Sequence, residues 1–240
     1  MKTNNITINK KKIIIKSNGT KYTVRNYSGR YFSPDEWLEF MNKIKQDKTF
    51  IFELLLNTGV RLEEALCINR SDINLDKKYL KVFITHTRHI NDKKYLLKPR
   101  YISISSSFSK ELKKYISTNN LKDGDYLFLD NSRNYDTKEK LKKETKNKKI
   151  SISQLMKRAL AKTTIKDCYN FSLNNIRKTH IMWLNVLHNA RDIDINIITL
   201  CIRVGEDFNT FKNNYGSADI FERRDRQMMI NLLGDIYGLK

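Results

Sequence analysis

Leu55-Leu56-Asn57-Thr58-Gly59-Val60-Arg61-Leu62-Glu63-Glu64-Ala65-Leu66 is the stretch that decides how the chain folds. Phe50, Ile51, Leu54 and Leu55 recur at helical spacing and predict a helix over about 48–57. Gly59 breaks it, because a residue without Cβ permits a tight turn between helices. A further helix starts near Leu62 and runs to Cys67. Arg61 therefore sits at the start of a helix. A guanidinium beside the free N–H groups of a helix N-terminus makes an oxyanion or phosphate site. The same residue also reads as a surface arginine paired with Glu64 three positions on.

Working outward, Ser33-Pro34-Asp35-Glu36 starts the preceding helix, with Ser33 as N-cap, Pro34 in the first turn and Glu36 closing a capping box. Trp37, Phe40, Met41 and Ile44 continue it as an apolar stripe. Residues 6–27 read as a hairpin: Ile13-Ile14-Ile15 and Tyr22-Thr23-Val24 flank the turn sequence Ser17-Asn18-Gly19-Thr20. Downstream, residues 79–85 and 100–104 are β-rich runs joined by a polar connection, His89 to Lys98. Helices are expected at about 108–117 and 151–162, with the Lys-rich stretch 131–149 as a mobile loop. Further helices follow at 173–188, 193–203 and 217–237. The order is a helix pair, a small antiparallel sheet, then helices, which predicts a mainly helical α+β fold. In the last helix Phe221, Met228, Met229, Leu232, Leu233, Ile236 and Tyr237 form an apolar face. That face suits packing on its own domain or docking on a neighbouring protomer.

The 240 residues include 46 Lys plus Arg against 26 Asp plus Glu, a formal charge of +20. So basic a chain has the electrostatic footprint of nucleic-acid binding. Eight basic residues and no acid fall in residues 1–30, among them Lys10, Lys11 and Lys12. A second block, Lys138 to Lys149, holds seven Lys against two Glu. No amphipathic helix accompanies the first block, which favours nucleic acid over a membrane surface. No apolar run reaches the roughly 18–20 residues that span a bilayer, and the start lacks the apolar core of a secretory signal. Cys67, Cys168 and Cys201 are odd in number and widely spaced. They exclude a disulfide scaffold and a thiolate zinc site, and fit a reducing cytoplasm.

Two further segments bear on chemistry: Leu173-Asn174-Asn175-Ile176-Arg177-Lys178-Thr179-His180, and Val204-Gly205-Glu206 continuing to Tyr215. Each is weak alone. In this order, with the Arg61 segment, they resemble the tyrosine recombinase (phage integrase) family over about residues 31–220. That family writes its first box T-G-x-R-x-x-E-x-x-x-L. Here Thr58, Gly59, Arg61, Glu64 and Ile68 stand in those places, Ile replacing Leu. Arg177 matches the second box, H-x-x-R. Gly205 and Tyr215 match the third, in which the nucleophilic Tyr follows a Gly-His or Gly-Trp pair. Asn69-Arg70-Ser71-Asp72-Ile73 looks like the family's helix-to-sheet connection. Three positions depart from the pattern. Asn174 replaces the second-box His, Lys178 another frequent His, and Glu206 the third-box His or Trp. These departures look like the divergent integrases of archaeal viruses and mobile elements.

The resemblance implies transesterification at a DNA phosphodiester, with Tyr215 as nucleophile and Arg61 and Arg177 clamping the scissile phosphate. A neutral phenol, with a pKa near 10, is a poor nucleophile. Two guanidiniums stabilise the phenolate and the charge that develops on the phosphate oxygens, and each planar fork holds two oxygens at once. The family's general acid is a Lys on the sheet hairpin. Register points to Lys94, with Lys93, Lys98 and His86 as rivals. Asn174 is either a phosphate donor or the cap of the helix that bears Arg177. Glu206 is out of keeping beside a phosphate, since like charges repel, and could instead orient Arg61, Arg177 or a Lys. His180 reads as a packed or surface residue, and Trp183, Leu184 and Leu187 as core. Lys10, Lys11, Lys12, Lys98, Arg100 and Lys178 are the expected DNA contacts.

The implied organisation is a basic N-terminal β arm (1–30), a catalytic domain (31–220) and a C-terminal amphipathic helix (221–240). The arm stands where the family usually carries a domain that completes a DNA clamp. Double-stranded DNA is the expected partner, with self-association as dimer or tetramer on DNA and no membrane. No metal or other cofactor is implied. The expected activity is site-specific cleavage and rejoining through a 3′-phosphotyrosine, as in integration or excision of a mobile element, in the cytoplasm of a host cell. The alternatives are a catalytically decayed integrase-like DNA-binding protein and a type IB topoisomerase-like enzyme.

Overall fold

The computed structural model describes residues 31–83, 99–133, 135, 137–193, 195–206, 211 and 221–236, together with the backbone of two strands near the N-terminus. Those strands, β1 (Lys11–Ile15) and β2 (Lys21–Arg25), pair antiparallel with Lys11 opposite Arg25 and Ile15 opposite Lys21. This is the hairpin that the two β-branched runs predict.

α1 (Pro34–Asn42) begins with the expected capping box. Ser33 Oγ accepts from the Glu36 N–H at 3.3 Å, and the Glu36 carboxylate accepts from the Ser33 N–H at 3.0 Å. A 3-10 turn (Gln46–Lys48) leads into α2 (Phe50–Thr58), and α3 (Leu62–Leu66) follows at once. α2 is buried on nearly every side, so its apolar residues do not confine themselves to one stripe. A three-stranded antiparallel sheet follows in the order β3 (Ile73–Asn74), β4 (Tyr79–Val82), β5 (Arg100–Ser103). β3 is too short to show period-two alternation, and sequence periodicity misses it. β4 and β5 fall within the expected runs, with Leu80 and Ile102 paired and fully buried.

After α4 (Ser106–Thr118) comes α5, which corrects the sequence expectation. The Lys-rich segment assigned to a mobile loop is instead the first half of a continuous 23-residue helix, Lys138–Leu160. Thr137 caps it, accepting from the Lys140 N–H. The physical reason lies in spacing. Thr145, Ile152, Met156 and Ala159 recur on one face and are buried, with Leu141 packed against the core. The lysines lie on the remaining faces, and Lys is a good helix former when its charge reaches water. Glu144 also accepts from Arg133 at 2.8 Å, and Lys149 pairs with Glu63 of α3.

α6 (Leu173–Asn189) is the central helix and packs along α2. Ile176, Ile181, Trp183, Leu184 and Leu187 are buried, and the Trp183 indole donates to the Phe32 carbonyl at 2.9 Å. Phe32 in turn donates its N–H to Thr179 Oγ1 at 2.9 Å, tying the entry of α1 to α6. Burying each such aliphatic or aromatic side chain is worth about 1.5–3 kcal/mol. α7 (Ile197–Val204) and α8 (Arg223–Leu233) complete the described elements. α8 lies on its own domain, against α1 and α6, with Met229 and Leu233 fully buried. The Asp235 carboxylate then receives both the N–H and the hydroxyl of Ser106 at 2.5 Å each. No helix among the described residues is long and apolar enough to cross a membrane.

Candidate active site

Two chain reversals, at Gly59 and Gly205, and the first turn of α6 build the site. α2 ends at Gly59, whose φ of 65° is left-handed. A Cβ there would also lie 2.3 Å from the His180 ring, so both conformation and space demand glycine. Arg61 then opens α3 from an extended conformation (φ −72°, ψ 149°), with its N–H given to Glu64 Oε2 at 2.8 Å. The side chain of Arg61 is left 28% exposed.

Arg177 lies one turn into α6 and is only 2% exposed. Its Nη1 donates to the Gly59 carbonyl at 2.7 Å, and its Nη2 to the Val204 carbonyl at 2.5 Å. α7 stops at Gly205 (φ 66°), where the Glu206 N–H returns to the Cys201 carbonyl at 3.1 Å. That closure presents the Glu206 side chain to both arginines. Its Oε1 accepts from Arg177 Nη2 at 2.6 Å and from Arg61 Nη2 at 3.0 Å. Burial pulls the pKa of Arg177 below its ordinary value and the Arg61 charge adds to this, while Glu206 opposes both.

The ion pairs extend further. Glu64 is 1% exposed and receives Arg100 through two bonds, Nη1 to Oε1 at 3.0 Å and Nη2 to Oε2 at 2.6 Å. The five charges therefore alternate: Arg100, Glu64, Arg61, Glu206, Arg177. A Cβ on Gly205 would lie 2.8 Å from Arg100 Nη1, so this glycine also makes room for the outer guanidinium. Arg100, an expected DNA contact, is 8% exposed and paired with Glu64, because the alternation of β5 turns Arg100 and Ile102 inward together.

Asn174 is exposed at the second position of α6 and does not cap it. Ser172 occupies the cap, and the Asn175 side chain receives its N–H at 2.8 Å. Lys178 is half-buried, and burial pulls its pKa down. Lys11 and Lys12 lie on β1, opposite Arg25 and Val24. Lys10, His86, Lys93, Lys94, Lys98 and Tyr215 lie outside the described residues.

Sequence reasoning missed Arg203. This residue is 3% exposed and donates to three elements: the Asn57 carbonyl at 2.8 Å, the Ser103 carbonyl at 2.7 Å and His180 Nε2 at 3.1 Å. His180 is fully buried, with Nδ1 at 2.6 Å from the Leu56 carbonyl. A carbonyl can only accept, so Nδ1 carries the proton and Nε2 the lone pair. Burial first, then the Arg203 charge, holds the imidazole well below the usual histidine range. The available signal was positional, since Arg203 shares the inward face of α7 with Leu200 and Val204 at helical spacing. Among the described residues no group of three or more His, Cys, Asp or Glu could hold a metal ion.

The family model described as the phage integrase family matches residues 30–194, which is more than half of the chain. The chain belongs to that family, the tyrosine recombinases. Among solved structures it is similar to the XerA recombinase, with 20% identity, a TM-score of 0.54 and 84% of this chain covered. It is also similar to the Tn1549 transposon integrase in complex with transposon right end DNA, with 15% identity, a TM-score of 0.57 and 90% covered. The chain spans 64% of the XerA chain and 69% of the integrase chain. At this identity the likeness establishes the fold, a mainly helical catalytic-domain architecture with a small antiparallel sheet. No curated protein matches.

Proposed function

We propose that the protein is a site-specific DNA recombinase that cleaves and rejoins strands through a 3′-phosphotyrosine on Tyr215. One observation carries this reading. Arg61 and Arg177, far apart in sequence, bring their Nη2 atoms to within 3.0 and 2.6 Å of the same carboxylate oxygen. Two guanidiniums focused on one oxygen form the arrangement that a phosphodiester in its transition state requires. The Tyr215 phenolate, its proton released to water, attacks phosphorus, the bond to the 5′ oxygen breaks, and a hairpin lysine, Lys94 in this reading, protonates the leaving oxygen. The new phosphotyrosine conserves the bond energy, and the reverse attack by a 5′ hydroxyl rejoins the strand.

Double-stranded DNA is the substrate in this proposal. The basic residues 1–30 serve as an arm on the duplex, and the protein assembles with further copies on DNA. The charge of +20 and the DNA-bound state of the Tn1549 integrase support this. Excision or integration of a mobile element, in a host cell, is the biological setting that fits. The test is a nicked or phosphorothiolate-containing duplex. Wild type is expected to form an SDS-resistant adduct, and Tyr215→Phe to bind DNA without forming one. An adduct with the Phe variant would remove Tyr215 from the role. No adduct with wild type across many target sequences would favour a DNA-binding module that has lost catalysis.

A further inference from the structure

We infer that Glu206 is a built-in stand-in for the phosphate, a tethered carboxylate that fills the seat between Arg61 and Arg177 and restricts that seat to phosphates of a polymer held by other contacts. The inference rests on the reading of the two arginines as a phosphate clamp, and adds what selects the ligand.

The geometry leaves little alternative route to Arg177. Its guanidinium is buried, and two of its donor contacts go to the Gly59 and Val204 carbonyls, which are fixed parts of the chain reversals. Glu206 is the 18%-exposed side chain that joins it to the more open Arg61. An incoming oxyanion that meets both Nη2 atoms must take the place of Glu206 Oε1. The backbone of Glu206 is pinned by its bond to Cys201, so the exchange is a rotation of one side chain.

Electrostatics gives the consequence. The five-membered chain holds three guanidiniums and two carboxylates, a net charge of +1. With Glu206 in place, a free anion meets a nearly neutralised seat and a competitor attached to the same molecule. A tethered group acts at an effective concentration in the millimolar range or above, which a dissolved monoanion must exceed. A phosphate within a duplex is itself tethered once lysines along the protein have engaged its neighbours, so it competes on equal terms. The carboxylate therefore discriminates against inorganic phosphate and mononucleotides without forbidding DNA. A histidine or tryptophan at this position, as the family usually has, could not do so, because neither carries a negative charge.

The experiment is thermal unfolding of the full chain in inorganic phosphate and in chloride at matched ionic strength and pH. The wild-type midpoint is expected to rise only by the general, unsaturating stabilisation that phosphate gives folded proteins. Glu206→Gln keeps the shape and an acceptor oxygen but removes the charge, and its midpoint should show a further, saturating rise over wild type, as for a ligand that binds the folded state. That further rise should disappear in Glu206→Gln combined with Arg61→Met. Glu206→Asp, which keeps the charge but is one methylene too short to reach both arginines, should give a smaller rise and serves if the Gln variant folds poorly. Equal responses of wild type and both variants would overturn the proposal. So would a saturating phosphate response in wild type that the variants lose, since Glu206 would then orient the clamp rather than occupy it. Adduct formation plays no part in this readout, so failure of the recombinase reading and failure of the stand-in are separate results.

Discussion

At the end of α7 two arginine clusters stand a few residues apart, and they differ in what satisfies them. Arg203 gives its N–H groups to the Asn57 and Ser103 carbonyls and to a fully buried imidazole. Those acceptors belong to α2, β5 and α6, so Arg203 cannot let go without moving the fold. Arg61 and Arg177 instead share a part-buried side-chain carboxylate, whose rotation in the stand-in proposal would leave every helix in place. The comparison separates a bolt from a seat. Both use buried or half-buried guanidinium, and of the two only the second is joined through a carboxylate side chain.

The largest test of this difference is Arg203→Met. It strands two carbonyls and the His180 lone pair, and each buried acceptor left unsatisfied costs about 1–3 kcal/mol. Urea unfolding should show that loss, and a variant as stable as wild type would mean the bolt holds nothing. Next comes Arg61→Lys at the seat. Losing the planar fork should slow covalent adduct formation by about 10²–10³-fold, while the unfolding free energy changes by less than about 1 kcal/mol because the side chain is partly exposed. A large stability loss there would erase the contrast.

A third test reads His180 through pH. Its folded-state pKa is depressed, so the unfolded chain takes up a proton below pH 6.5 that the native imidazole refuses. The stabilising contribution is complete above that value and is lost as pH falls from it toward the folded pKa. The slope in that window should be about 1.4 kcal/mol per pH unit from this residue. His180→Gln should flatten it relative to wild type, and an unchanged slope would show that the imidazole is not held neutral. The smallest effect belongs to Lys149, which pairs with Glu63 at the surface. Lys149→Met should change the unfolding free energy by about 0.5 kcal/mol or less and leave α5 helical by circular dichroism. A collapse of helicity would show that charge pairing rather than the buried face of α5 keeps it folded.

Local rules carried much of the architecture. Ser33-Pro34-Asp35-Glu36 announces its helix start because cap, proline and box are all within four residues. Gly59 announces the reversal for the same local reason. Local rules failed for α5, where seven lysines obscure a buried face that Thr145 and Ile152 share with Met156 four residues later. Charge dominates the composition of that segment, but burial of a few side chains against α1 and α3 dominates its energetics. The burial of Arg100 was hidden for a related reason: the pairing register of β5, which turns it toward Glu64, is not local information. At the site, Arg61, Glu64 and Arg177 stood in an ordered set in the sequence and Glu206 stood out as a departure from it, whereas Arg203 gave no such signal, because its partners come from three elements distant in sequence.

By itself the sequence determined the basic character of the chain, the helix starts and reversals, and the order of the segments that mark a tyrosine recombinase, because each depends on composition or on residues within a turn of one another. Tertiary structure alone decided which arginine is held by backbone carbonyls and which is buried in an ion pair, and it brought Glu206 between the Arg61 and Arg177 guanidiniums. Those outcomes depend on where desolvated charges find acceptors. In a packed interior that is settled by neighbours far along the chain, to which no local pattern refers.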